Sequence, residues 1–269
     1  MPKRLRDQAS SLIYVLVLAY GMAALSGCAS ARANRAKDDA NLHLQMGTTY
    51  FTNKKYPEAL RELLTAEKLD PSNSTVQNNL SLTYFVRDRF DIAQRHVDRA
   101  IELNPNYTEA RNNRARILIE RGMYAEAIAE AKRATDDLTY QTPIRSWTNI
   151  ALAYFRKGDF KNARDSATAA LKIERTNCFA QTILGRSLLE LGLLEKSGTV
   201  LLKDAAETLD RAIVACKVEG LDEAAYFAGL AHYKLGKSAA AVARLQEVLH
   251  DYPDGRYAKK AESLLEIIK

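Results

Sequence analysis

The sequence has no glycine-rich phosphate loop ending in lysine, no HExxH pair and no GxSxG serine elbow. Each of those patterns sets a reactive group at a fixed place on a helix or turn. Without them, nucleotide hydrolysis, zinc proteolysis and serine hydrolysis have no carrier here. Histidine is scarce and scattered, at His43, His96, His232 and His250. Cysteine is scarcer, at Cys28, Cys178 and Cys216, and no second ligand pair exists to hold zinc. Charge of one sign is also missing: 39 Lys and Arg face 33 Asp and Glu, a formal +6. Lys3, Arg4, Arg6 and Asp7 account for two of those charges, and elsewhere the signs alternate, as in Arg61–Glu62. That is a solvated helix surface. No basic stripe interleaved with aromatics stands out, which argues against nucleic acid as a partner. The reading is of a protein that is not an enzyme, with no metal, no cofactor and no small-molecule substrate.

What the chain does have is a repeat. Gly47, Ser81, Ala115, Ala151, Gly185 and Gly229 mark one small-residue position at spacings of 34, 34, 36, 34 and 44. Twelve residues after five of them comes an alanine: Ala59, Ala93, Ala127, Ala163 and Ala241. A period near 34 means a stacked helical solenoid, a binding surface before anything else.

The pattern resembles the tetratricopeptide repeat, a helix–turn–helix of 34 residues. With the small residue as position 8, repeat one places Met46 at 7, Tyr50 at 11, Tyr56 at 17, Ala59 at 20, Leu63 at 24, Ala66 at 27 and Pro71 at 32. The resemblance implies an all-α, right-handed superhelical solenoid of six repeats. Their spans are about 40–73, 74–107, 108–143, 144–177, 178–221 and 222–256, with a capping helix over 257–269. Positions 8 and 20 are small because helices A and B of each repeat cross there. Positions 4, 7, 11, 24 and 27 are expected to fill the core. Proline at 32 ends helix B. Gly122, Gly158, Gly192 and Gly236 fall at position 15, where a left-handed helix cap suits glycine. Repeat three departs at position 7 (Arg114) and at position 32 (Thr139). Two extra residues lie near Thr139–Pro143, and about eight lie within Leu193–Lys203 of repeat five, as an extended helix or a loop.

The N-terminus reads as an address. Lys3, Arg4 and Arg6 precede an apolar run from Leu12 to Leu25, too short to span a bilayer comfortably but suited to a secretory signal over 1–27. It ends in Leu25-Ser26-Gly27-Cys28, which resembles the bacterial lipobox. The resemblance implies that Cys28 becomes the first mature residue and carries a thioether-linked lipid with acyl chains such as palmitate. Multiple chains anchor stably, at about 0.8 kcal/mol per buried CH₂. No aspartate follows Cys28, which points to the outer membrane. Residues 28–39 are short-sided and charged, without apolar period, and are expected to form a flexible tether.

Cys178 opens helix A of repeat five and Cys216 ends its helix B, so an antiparallel hairpin brings them together. In an oxidising compartment they form a disulfide; otherwise they are two buried thiols. Partners of such arrays bind on the face lined by the A helices, where positions 5, 6, 9, 12 and 13 point. Asn79, Asn113 and Asn149 share position 6, and a ladder of amides suits an extended backbone. Position 12 carries Phe51, Phe85, Ile119, Phe155, Leu189 and Tyr233. Leu44, Leu82 and Leu152 add to this apolar row, which either packs within the solenoid or lines a protein-binding groove.

Lipobox, six repeats and cap together resemble the type IV pilus pilotins, the PilF, PilW and Tgl family. That resemblance implies a lipid-anchored protein on the periplasmic face of the outer membrane. Its partner is the secretin, whose localisation and assembly it assists. The family's partner surface carries over to Leu44, Phe51, Leu82 and Phe85. Two other roles suit the same architecture: a lipoprotein of outer-membrane barrel assembly, and a scaffold for peptidoglycan enzymes.

Overall fold

In the computed structural model, residues 32, 34–195, 198–216 and 222–268 are described, and all of their regular structure is helical. The lipobox resemblance at Cys28 and residues 1–27 lie outside the described residues. The helices are α1 (34–52), α2 (Tyr56–Leu69), α3 (Ser74–Phe85), α4 (Phe90–Leu103), α5 (Thr108–Glu120), α6 (Tyr124–Thr135) and α7 (Pro143–Lys157). They continue as α8 (Phe160–Ile173), α9 (Cys178–Leu194), α10 (Thr199–Cys216), α11 (Glu223–Lys234), α12 (Ser238–Asp251) and α13 (Ala258–Ile268). α1 to α12 pair into six A–B hairpins, and α13 follows as a thirteenth helix packed on α12 and α11. The chain divides into two compact units, Met1–Pro105 with repeats one and two, and Asn106–Lys269 with the rest. Residues 34–39, expected to belong to a tether, are already part of α1. Among the described residues no helix is long and apolar enough to cross a membrane.

Each hairpin is built on close helix contact. The alanines at position 20 (Ala59, Ala93, Ala127, Ala163, Ala241) are all buried. A Cβ on Gly47 would stand 2.7 Å from Leu63 Cγ, and one on Gly229 would stand 2.8 Å from Leu245 Cγ. Position 8 therefore makes room for position 24 as well as for the backbone of position 20. The two positions trade volume. Glycine at 8 faces leucine at or equivalent to position 24 in repeats one, five and six, and Ala115 and Ala151 meet Ala131 and Ala167; in repeat two the same positions hold Ser81 and Val97. A side chain larger on one helix is matched by one smaller on the other, as close packing demands.

The turn after helix A puts position 15 in the left-handed region. Gly122, Gly158 and Gly236 have φ of 77°, 85° and 71°, and Lys54 and Asp88 adopt φ of 60° and 57° at the same place. Gly192 does not join them. It is buried inside α9, which runs on to Leu194. The reason is the insertion. Gly185 meets Leu209, twenty-four residues on, where the other glycines meet a leucine sixteen residues on. The eight extra residues thus lengthen both helices: α9 has 17 residues and α10 has 18. Gly192 serves the prolonged crossing instead, since a Cβ there would lie 3.0 Å from Leu202 and 3.1 Å from the Gly198 carbonyl. At the hairpin's other end Cys178 and Cys216 form a disulfide with Cα atoms 5.0 Å apart.

The two extra residues of repeat three form an ordered turn. The Asp137 carboxylate accepts from the Thr139 N–H at 2.9 Å and from the Thr108 hydroxyl. Tyr140 donates to Glu109 at 2.9 Å, and burial first of all pushes its hydroxyl up to about 12.

Candidate functional site

Position 4 is not the core position expected of it in repeats one to three. It is His43, Gln77 and Arg111, and each bonds to position 23 of its own helix B, nineteen residues on. His43 Nδ1 lies 2.7 Å from Glu62, His96 Nδ1 2.8 Å from Gln77 Oε1, and Arg111 Nη1 3.0 Å from Glu130. Position 23 faces helix A at its polar margin, so a polar pair satisfies both partners there. His96 also stacks on Tyr84 with ring centroids 5.3 Å apart. Burial lowers its pKa, against the pull of Glu67. In repeat three the bolt is larger. Glu130 is buried and takes Arg111, Arg114 and Arg133 at 3.0, 3.2 and 2.9 Å. This explains the arginine at position 7.

The A-helix face of repeats three to six is occupied by its own ion pairs. Arg145 reaches Glu109 at 3.0 Å, and Arg156 reaches Glu120 at 2.7 Å. Arg186 of α9 lies between two rings, Phe155 at 4.2 Å and Phe227 at 4.4 Å, and pairs with Glu223. The Tyr257 hydroxyl donates to the same Glu223 at 2.9 Å, and Tyr257 stacks on Tyr226 at 5.0 Å. Burial, then the Glu223 charge, pushes the Tyr257 hydroxyl up to about 12. Side chains of repeats four, five and six and of the turn before α13 are thus tied into one cluster. One face of Phe155 is covered by a guanidinium, and its edge meets Phe160 at 5.3 Å. Among the described residues no group of three or more metal-ligating side chains forms.

The asparagines of position 6 do not form an open ladder. Asn149 is buried and donates to Asn112 Oδ1 at 3.0 Å and to the Asn112 carbonyl at 3.3 Å. Asn113 is buried too, and the half-buried Asn79 donates to Thr48 Oγ1 at 2.9 Å. A position-6 amide sits where the preceding A helix passes, so the neighbour takes its hydrogen bonds first. The position-12 row is likewise broken, because Ile119 and Leu189 are 1% exposed.

What stays accessible is the α1–α3 face of repeats one and two. Leu44, Phe51, Leu82 and Phe85 are each half-buried there. Leu44 leans on the Leu63–Leu80 core, Phe51 packs against Tyr56 at 5.6 Å and Phe85 against Phe90 at 5.6 Å. Their other sides face solvent, beside Val86 at 38% exposure. Residues 40–52 and 74–86 contain no Asp, Glu, Lys or Arg. Spare polarity is tied up locally: Thr48, Thr52 and Thr83 hydroxyls donate to carbonyls four residues back. Such a face suits an uncharged, apolar segment of another protein and repels a charged one through desolvation alone.

Tetratricopeptide-repeat models match residues 79–141, 144–177 and 223–255. No curated protein matches the sequence. Among solved structures, PilW, described as a widely conserved type IV pilus biogenesis factor, has 22% identity and a TM-score of 0.71, covering 82% of this chain and 97% of its own. PilF of Pseudomonas aeruginosa has 16% identity and a TM-score of 0.67, covering 85% and 98%. The APC/C hetero-tetramer Cut9–Hcn1 aligns as well, at 16% identity and a TM-score of 0.73, over 89% of this chain and 45% of that one. At these identities the likeness shows the fold alone, and one architecture serves different assemblies. The chain is a tetratricopeptide-repeat solenoid with the fold of the pilus proteins PilW and PilF.

Proposed function

We propose that the protein is a non-enzymatic, lipid-anchored scaffold of the pilotin kind. It binds secretin subunits and promotes their outer-membrane localisation and assembly in type IV pilus biogenesis. The observation that carries the reading is the uncharged, half-exposed α1–α3 face around Leu44, Phe51, Leu82 and Phe85. The likeness to PilW and PilF over nearly their whole lengths supports it. A lipid on Cys28, on the periplasmic face of the outer membrane, completes it. The lipid confines the face to the membrane where subunits insert, which raises its effective concentration for them. The face shields an assembly surface of the subunit until the ring closes.

Pull-down of secretin monomer by the protein, lost with Leu82→Asp, is the expected result. Normal numbers of secretin rings in outer membranes of a deletion strain contradict the proposal. Metabolic labelling with a palmitate analogue, lost in Cys28→Ser, tests the anchor.

A further inference from the structure

Positions 3 and 7 of a helix A are where the preceding repeat packs. In repeat two they are Val76 and Leu80, both 0% exposed and clustered with Leu63 and Ala66 of the preceding helix B. In repeat four Ser146 and Ile150 are buried, Ile150 against Ala131. Ala180, Ala224 and Ala228 are buried at these positions in repeats five and six. Repeat one is the exception. Its positions 3 and 7 are Leu42 and Met46, 55% and 38% exposed, and among the described residues no helix B precedes α1. Repeat arrays stay soluble by ending in a polar outer face. At the C-terminal end α13 supplies one, with Lys259, Lys260, Glu262 and Glu266 exposed. At α1 two large apolar side chains stand in its place.

We propose that this outer stripe of α1 lies on the phospholipid surface that the Cys28 lipid enters, with Leu42 and Met46 at the boundary of headgroups and acyl chains. The inference rests on the lipid at Cys28 and not on secretin as the partner. The short link before α1 selects the bilayer as occupant. α1 is helical from residue 34, six residues past Cys28, and six extended residues reach about 20 Å. The first repeat is thereby confined beside the bilayer. Two side chains do not hold a free protein there; on an anchored one the contact is intramolecular, and a weak preference suffices. The chemistry of the stripe fits as well. Arg35, Leu42 and Met46 fall within about 40° of arc on α1, flanked by Asp38 and Asp39, and all five are exposed. Charges of both signs match a zwitterionic headgroup. Its phosphate accepts from the guanidinium, its ammonium pairs with a carboxylate, and the arginine stem lies along the apolar boundary. Leu44 and Phe51 lie about 160° and 180° round α1 from Leu42, so docking leaves the partner-binding face open.

A photo-crosslinking residue, benzoylphenylalanine, replaces Leu42 in the full chain expressed in its own membrane. A second version carries it at Thr48, exposed on the α1–α3 side of the same helix. The expected product of the first is a phospholipid adduct, identified by mass on the peptide holding residue 42. The Thr48 version is expected to give at least about tenfold less, because a helix about 10 Å across keeps its far side out of the boundary. Cys28→Ser abolishes the adduct. Equal lipid yields from the two versions, capture of a protein (a partner or a second copy) at residue 42, or no adduct at all, overturns the proposal. Palmitate labelling of the same samples separates the failures. An unlabelled protein refutes the anchor and this inference with it, whereas a labelled protein without the adduct refutes this inference alone.

Discussion

Repeats one and two and repeats three to six are built on one template, but their A helices differ in chemistry. The A helices of the first two carry no formal charge over 40–52 and 74–86. Those of the other four carry Glu109, Arg116, Glu120, Arg145, Arg156, Arg186 and Glu223; Arg116 pairs with Glu120 within α5, and Arg145–Glu109, Arg156–Glu120 and Arg186–Glu223 pair across repeats. The same division runs through the bolts between positions 4 and 23. Histidine serves in repeats one and two, while arginine and glutamate serve in repeat three. A repeat surface is free to bind where its side chains are unsatisfied and is stiffened where they are cross-linked. In the proposed function the first role falls to repeats one and two and the second to the remainder.

The comparison can be broken most sharply at Glu130. Glu130→Ala leaves three arginines around a buried gap and is expected to cost about 3–5 kcal/mol in chemical denaturation. The corresponding Glu62→Ala in repeat one removes one hydrogen bond to His43 and is expected to cost about 1 kcal/mol. Equal losses in the two repeats erase the distinction. Next in size is the disulfide. Cys178→Ser with Cys216→Ser opens a loop with a separation of 38 residues. In the loop-entropy model that loss is about 3–4 kcal/mol. Hydrogen exchange is expected to quicken in α9 and α10 and to stay unchanged in α1 to α4.

The volume trade between positions 8 and 24 gives a third test. Gly47→Ala drives a methyl into Leu63 and is expected to cost about 1–3 kcal/mol. In a Leu63→Ala background the same change recreates the Ala–Ala pair of repeats three and four and costs close to nothing. A double-mutant cycle with no coupling refutes the account.

The smallest effect is acid sensitivity. The His96 pKa is lowered in the folded state, chiefly by burial, so between its folded and unfolded values the unfolded chain binds more protons. Its contribution to stability is therefore full above the unfolded value near 6.5 and is lost as pH falls through that value toward the lowered one. Amide exchange in α3 and α4 is expected to speed up on going from pH 7.5 to 5.5, and His96→Gln flattens that response. A response unchanged in His96→Gln assigns it to another group.

The helical pairs, the crossing at positions 8 and 20 and the pairing of Cys178 with Cys216 in one hairpin can all be read from spacing, because spacing fixes which side chains share a helix face. Four features cannot be read from the repeat template. It makes position 4 apolar, whereas His43, Gln77 and Arg111 pair with residues nineteen further on. That recurrence is a signal, visible only if polar residues are searched for partners. Gly192 stands at a turn position by count, but the inserted residues continued the helix, and helix continuation leaves no mark in a residue count. The ladder of Asn79, Asn113 and Asn149 is regular in sequence, yet Asn79 and Asn149 bond to the preceding A helix and Asn113 is buried. Which neighbour takes a hydrogen bond depends on packing between repeats, and composition does not contain it. The Arg186–Glu223–Tyr257 cluster escaped for the same reason.

The central claim is that the charge-free face of repeats one and two binds the partner. Its most direct test is the dissociation constant for purified secretin monomer, measured by calorimetry with two variants and at two salt concentrations. Leu82→Asp is expected to weaken binding at least about tenfold, roughly 1.4 kcal/mol. Arg156→Ala, in the ion-paired face, leaves it unchanged. Because no charge lies on the binding face, raising salt from 50 to 300 mM leaves the wild-type value within about twofold. Binding that survives Leu82→Asp, or that collapses with salt or with Arg156→Ala, places the partner on the other repeats and contradicts the account.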